Sequence, residues 1–182
     1  MAREKKTARK SAKIRAVLSA DRITSNSSSA FVLYESGRFG EKMEGKMQYS
    51  FSEALYLIGK GKLELIHLKK KMAAEKFIED AAKREPNFLV KYKVFKDLRD
   101  RGYTVKTALK FGAEFRVYAK GVQPGQDHAR WIVFPVYESS GLTWHEFAAK
   151  NRVAHSTKKN LLIAIVDDEG DVTYYEVKWL KP

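Results

Sequence analysis

The amino-acid sequence predicts an α+β protein built as two small domains. Three observations carry that expectation. Short apolar stretches bounded by Ser, Gly and Asp turns open and close the chain; apolar residues recur at i+4 through its middle; and Pro86-Asn87 breaks that helical middle in two. Residues 16–86 form the expected N-terminal α+β domain and residues 87–182 the C-terminal domain, with residues 1–15 as a basic, disordered tail. The chain has 182 residues, 44% of them apolar, which is enough material for a packed core.

In chain order, Ala16 to Leu33 reads as strand, turn, strand, the polar run Ser25-Asn26-Ser27-Ser28-Ser29 supplying the turn. Gly37, Gly40 and Gly45 break the next segment into a loop or hairpin. Ser50-Phe51-Ser52-Glu53 matches a capping box, in which hydroxyl and carboxylate satisfy each other's free backbone N–H. It opens a helix through Ala54, Leu55, Leu57 and Ile58 that stops at Gly59/Gly61. Leu63 to Ile66 is a brief strand. From about Met72, the rows Ala73/Phe77/Ala81 and Ala74/Ile78/Ala82 predict a second helix, ended by Pro86. Asn87 is placed to cap a third, with Val90, Val94, Phe95 and Leu98 on one side and Gly102 after its end. Tyr103 to Val117 then reads as strands, and Lys120 to Asp127 as a polar loop. Trp131 to Val136 is a strand whose Pro135 suggests an edge or a bulge. Trp144 to Asn151 is a short helix. The unbroken apolar run Leu161 to Val166 fits a strand buried on both faces, and Asp168-Glu169-Gly170-Asp171 turns the chain into a last strand, Val172 to Leu180.

Charge narrows the function. Thirty-five Lys/Arg against 22 Asp/Glu leave a net +13, and residues 1–15 alone hold seven basic groups and one acidic. That tail is either a solvated terminus or an arm that finds polyphosphate by counterion release. The remaining body is positive too, so nucleic acid leads as partner. A membrane surface trails, because the sequence contains no strongly amphipathic basic helix. The absence of cysteine excludes disulfides, Cys-ligated zinc, iron–sulfur clusters and thiol catalysis. No apolar run approaches the ~18 residues of a spanning helix, and the first residues are charged, so the expected address is the cytoplasm.

Most chemical motifs fail when tested. Gly40 to Lys46 has the G-x4-G-K frame of a phosphate loop, but Met47 stands where a Ser or Thr hydroxyl must meet magnesium. His67, His128, His145 and His155 share no metal-binding spacing, and Ser139-Ser140 lacks the frame of a hydrolase nucleophile. No metal or cofactor is expected. The acidic run from Asp167 reads as a solvated hairpin turn in preference to a metal loop. Tyr118, His128, Arg152, His155 and Lys159 remain, polar residues beside or at the ends of apolar strands, and composition does not choose among them.

Three ordered motifs do. Arg101-Gly102-Tyr103-Thr104-Val105-Lys106-Thr107 leads to Phe111-Gly112-Ala113-Glu114-Phe115-Arg116-Val117-Tyr118; Asp127 to Val133 follows; Arg152 to Asp167 comes last. Together they closely resemble the archaeal tRNA-splicing endonuclease (tRNA-intron lyase) family. The first half matches more loosely, in Ser52 to Ile58. The resemblance implies a small N-terminal domain followed by a mixed-sheet catalytic domain. It also implies a metal-independent endoribonuclease that cuts precursor tRNA at bulge–helix–bulge splice sites. The products carry 2′,3′-cyclic phosphate and 5′-hydroxyl ends.

By motif position the family's catalytic Tyr, His and Lys fall on Tyr118, His128 and Lys159, and His155 falls outside the catalytic positions. Arg152 fits the arginine that grips a bulged base, and Trp179 the second clamp, which the family draws from a neighbouring subunit. Two splice sites need two active sites, so a chain with one catalytic unit implies a homotetramer, or a heterotetramer with a sister subunit. Asp168, Glu169 and Asp171 match the acidic loop through which subunits dock. An RNA-binding or architectural subunit without catalysis is the alternative.

Overall fold

The structure, a computed structural model, describes residues 12–180; most of the basic tail thus lies outside the described residues. The N-terminal half comprises β1 (Ile14–Ser19), β2 (Arg22–Ser25), α1 (Ser28–Gly37), β3 (Glu41–Met43), β4 (Lys46–Tyr49), α2 (Phe51–Gly59), β5 (Leu63–His67), β6 (Lys70–Lys71) and α3 (Ala74–Arg84). Its six strands form one sheet in the order β3-β4-β2-β1-β5-β6, parallel only between β1 and β5. The C-terminal half comprises α4 (Phe88–Asp100), β7 (Thr104–Thr107), β8 (Phe115–Tyr118), β9 (Trp131–Tyr137), α5 (Trp144–Ser156), β10 (Asn160–Val166) and β11 (Val172–Val177). Its sheet runs β11-β10-β9-β8-β7, parallel only between β9 and β10, which α5 connects. The protein is α+β with two mixed sheets.

Several elements follow directly from their residues. Ser50 Oγ accepts from the Glu53 N–H at 3.2 Å and Glu53 Oε2 from the Ser50 N–H at 3.2 Å, so the capping box starts α2. On β10 the side chains alternate: Leu162, Ala164 and Val166 join the larger core, while Leu161 and Ile163 join a second cluster under α5 with Ala154. A strand buried on both faces must be apolar, and this one is from Leu161 to Val166. Pro135 sits on β9 beyond Val133, where pairing with β8 has ended. Its missing N–H therefore costs no ladder bond on that side.

Three expectations are corrected. The chain between 16 and 33 is not strand, turn, strand around the serines: β1 and β2 are joined at Ala20-Asp21, and the serines lead into α1. Ser27 takes the N-cap position, where an extended serine suits a helix start, although its side chain makes no capping bond. Asn87 precedes α4 in the left-handed conformation (φ +58°), which Asn tolerates, and it too leaves the cap unmade. The fifth helix, opened by a Thr143/Glu146 capping box, runs to Ser156 instead of ending at Asn151. Only Ala154 among its residues is fully buried, so its second half carries little periodicity.

The boundary expected at Pro86-Asn87 falls between α3 and α4, and a single buried cluster spans it: Leu57, Phe77, Phe88, Phe95, Val117 and Ala164 all belong to one core. Polar contacts cross in the same place. Lys106 on β7 is 5% exposed and its ammonium donates to the Gly40 carbonyl, 3.6 Å from the Glu53 carboxylate. Gly40 can present that carbonyl because it has a positive φ (+76°), and a Cβ there would lie 3.0 Å from both the Gln48 carbonyl and the Tyr49 ring. Arg38 Nε donates to Gln123 Oε1 at 3.0 Å, and Arg116 Nη2 lies 4.0 Å from Glu41. The segment 38–41 therefore braces three separate places in the C-terminal half.

Candidate active site

The alternation of β8 decides which of its side chains can act. Phe115 and Val117 point into the core, so Arg116 and Tyr118 share the opposite face. Beyond Tyr118 the chain turns through Ala119–Val122 and Gln123–Gln126, and the Arg130 N–H returns to the Val117 carbonyl at 2.9 Å. That bond closes the loop back on its own strand and brings His128, ten positions on, beside Tyr118. Lys159 arrives by another route. After α5, Lys158 takes a left-handed conformation (φ +54°) and the Lys159 N–H bonds the Ala154 carbonyl. The Asn160 N–H then bonds the Arg130 carbonyl at 3.0 Å, in register with the Asn160–Trp131 pair that starts the parallel ladder. Because β9 and β10 enter the sheet side by side, the residues just before them are neighbours.

Tyr118, His128 and Lys159 thus line one cleft of about 370 Å³, together with Arg116, Phe111 and Asp127. Tyr118 is buried and His128 exposed, so the cleft has a closed floor and an open rim. Lys159 is half-buried; its Nζ donates to the Thr157 carbonyl at 2.7 Å and lies 5.6 Å from the Phe111 ring centre. Burial, and after it the positive charge of Arg116, hold its pKa below that of an ordinary lysine. Asp127 Oδ1 accepts from the His128 N–H at 2.6 Å, which fixes the backbone on which the imidazole is carried. Arrayed around this space are a phenol, an imidazole and two cations, groups suited to proton transfer and to stabilising charge on a phosphoryl group.

Arg152 and Trp179 stand elsewhere. They line a second groove of about 620 Å³ beside α5, with Phe147, Asn151 and His155. Trp179 is 65% exposed, and its indole meets the His155 ring edge-on at 5.0 Å. Both are therefore open to a stacked base, and here they belong to the same chain. Asp168, Glu169 and Asp171 lie on the exposed turn between β10 and β11, where Asp167 Oδ1 accepts from the Gly170 and Asp171 N–H groups. The turn is a hairpin. The G-x4-G-K frame is likewise a hairpin: Gly45 turns β3 into β4 and no helix follows. Among the described residues, no three His, Asp or Glu side chains gather where they could hold a metal ion. No helix among them is long and apolar enough to cross a membrane.

Arg116 and Phe111 line the cleft without having been singled out from the sequence. For Arg116 the signal was present: two positions before Tyr118 on a strand is the same face. For Phe111, in a 3₁₀ turn before β8, nothing local pointed inward.

Comparison with known proteins gives the family. Residues 88–174 match the family model of the tRNA intron endonuclease catalytic C-terminal domain, and residues 14–78 that of the tRNA intron endonuclease N-terminal domain. The chain is 46% identical over 165 residues to the tRNA-splicing endonuclease of Thermococcus kodakarensis, covering 90% of this chain and 96% of that one. It is 46% identical over 136 residues to that of Nanoarchaeum equitans, covering 71% and 87%. With Thermococcus gammatolerans the identity is 44% over 90% of this chain and 96% of its relative. On these matches, over both halves of the chain, this protein belongs to the tRNA intron endonuclease family.

Proposed function

We propose that this protein is an endoribonuclease that excises introns from precursor tRNA at bulge–helix–bulge sites, without a metal ion. The single observation that carries the reading is the cleft in which Tyr118, His128 and Lys159 meet, in a chain of this family. RNA supplies its own nucleophile, the 2′-hydroxyl beside the scissile phosphate. Tyr118, on the cleft floor, orients that hydroxyl or takes its proton. His128, at the rim, protonates the departing 5′-oxygen, since imidazole titrates near neutrality. Lys159 places positive charge on the phosphoryl oxygens as negative charge builds there, and its lowered pKa reflects a partly desolvated site where that charge acts strongly. The 2′-oxygen closes on phosphorus as the 5′-oxygen leaves, giving a 2′,3′-cyclic phosphate and a 5′-hydroxyl.

The exposed pair Arg152 and Trp179 stacks on an unpaired base of the bulge, which suits recognition of RNA by shape because stacking is indifferent to base identity. Two splice sites per intron call for two such clefts in one assembly, a homotetramer or a heterotetramer with a sister subunit. The exposed turn bearing Asp168, Glu169 and Asp171 provides its docking contact. Charge neutralisation of those three residues lowers the assembly mass in sedimentation if they do so, and an unchanged mass removes them from the interface. The test of the whole is incubation of the purified chain with a bulge–helix–bulge transcript in EDTA, followed by end-group determination. Cleavage with a cyclic phosphate end is the expected result. Salt-sensitive binding with no such product would instead mark a non-catalytic RNA-binding subunit.

A further inference from the structure

Arg116 has features that its strand position does not require. Its side chain is about a third exposed, yet Nε is fully enclosed and has no hydrogen-bond acceptor among the described residues. Its carboxylate partner among the described residues is Glu41, at the 4.0 Å limit of contact and itself half exposed. A guanidinium offers five donors in a fixed fork, and the described residues leave most of these without an acceptor. It also stands in the same cleft as Lys159 and close enough to depress that lysine's pKa. Two cations held together in a partly buried space repel each other, and an anion bound between them removes the penalty. The acid lining the cleft, Asp127, is turned toward the His128 backbone.

We propose that Arg116 is a further catalytic residue of the cleft, its guanidinium binding a non-bridging oxygen of the scissile phosphate opposite Lys159. This rests on the endonuclease reading and deepens it. The fork geometry distinguishes its role from that of Lys159: an ammonium is a point charge that follows the phosphate, whereas a braced guanidinium fixes the orientation of the phosphoryl oxygens. Arg116 is suited to this because β8 pins its backbone between β7 and β9.

The test uses the full chain, single-turnover cleavage of a bulge–helix–bulge RNA, and the same RNA with sulfur replacing one non-bridging oxygen at the scissile phosphate. Arg116→Gln keeps a polar stem and lowers the rate by about 10², the usual cost of removing one donor to a developing oxyanion; Arg116→Lys recovers part of it. The slowing caused by sulfur in the wild type shrinks in Arg116→Gln, because the contact it weakens is already gone. A folding defect alone would leave that sulfur effect at its wild-type size. Binding of an uncleavable RNA carrying a 2′-deoxy nucleotide at the site is the independent arm, with weaker affinity and a salt slope shallower by about one expected for Arg116→Gln. If the wild type does not cleave, the endonuclease reading fails and this arm alone judges Arg116. An Arg116→Gln rate within threefold of wild type, an undiminished sulfur effect, or, in an inactive wild type, unchanged affinity and salt slope overturns the proposal.

Discussion

Replacing Lys106 by Met removes one charge from the crossing between the two halves and leaves its partner behind. Lys106 and Glu53 are each about 5% exposed at the side chain, with nitrogen and oxygen 3.6 Å apart. Breaking a buried pair by deleting one member costs roughly 3–5 kcal/mol, because the remaining charge stays out of water. Glu53 moderates that cost: it keeps the Gly40 N–H at 3.0 Å, the Ser50 N–H at 3.2 Å and the Ser50 hydroxyl at 3.4 Å. The Gly40 carbonyl, by contrast, loses its ammonium donor. These set the expected loss at about 3 kcal/mol, with the lysine stem's packing preserved by Met. Burial already pulls the Lys106 pKa down, and Glu53 and Glu41 only partly oppose it, so the ammonium is held at a cost that the pair reduces without cancelling. Adding Glu53→Gln to Lys106→Met therefore costs less than it does alone, with a coupling of about 2 kcal/mol. Urea unfolding followed by circular dichroism measures all four proteins. A loss under 1 kcal/mol for Lys106→Met, or strict additivity of the two changes, would refute the reasoning.

Tyr118→Phe, His128→Ala and Lys159→Ala each lower the single-turnover rate by about 10² or more; a near-wild-type rate for His128→Ala removes it as the acid. Arg152→Ala and Trp179→Ala weaken cleavage of bulged RNA more than of a plain single strand, measured side by side, and equal loss on both contradicts a clamp on the bulge. Tyr174 is half-buried on β11 and its hydroxyl donates to Asp97 at 2.8 Å; desolvation first and then Asp97 raise its pKa, and burial with Glu53 does the same for Tyr49. A raised folded-state pKa gives stability that is complete below the free phenol's ~10 and is lost as pH rises from there. Alkaline titration of the melting temperature is therefore less steep in Tyr174→Phe, and an unchanged profile would show that this phenol does not report the fold.

Legibility in the sequence followed how local the cause was. The α2 capping box, the i+4 rows of α3 and the two-faced β10 are written within a dozen residues each, and they stand where periodicity placed them. The first helix was not legible: Phe31-Val32-Leu33 is an unbroken apolar run with no period, and only in the fold does Val32 face water while Ala30 is buried. The cleft depends on the Asn160–Trp131 register and on the Arg130–Val117 bond, contacts between distant positions that no local pattern encodes. Residue pattern alone left Tyr118, His128, Arg152, His155 and Lys159 undivided, and ordered motifs were needed to separate them. Arg116 could have been read from alternation, but the brace from residues 38–41 could not, since its partners lie tens of positions away.

The hydrophobic cluster shared by both sheets limits how this chain can be rearranged. Severing it between residues 86 and 87 would uncover Phe88, Val94 and Phe95 on α4, which are almost wholly enclosed, and at about 25 cal/mol per Å² each bared aromatic favours clumping over independent folding. Grafting one half onto a relative's other half therefore requires matching steric complementarity along α4 as well as joining the backbone. Substitutions along that seam are therefore tolerated only where both of its sides change together.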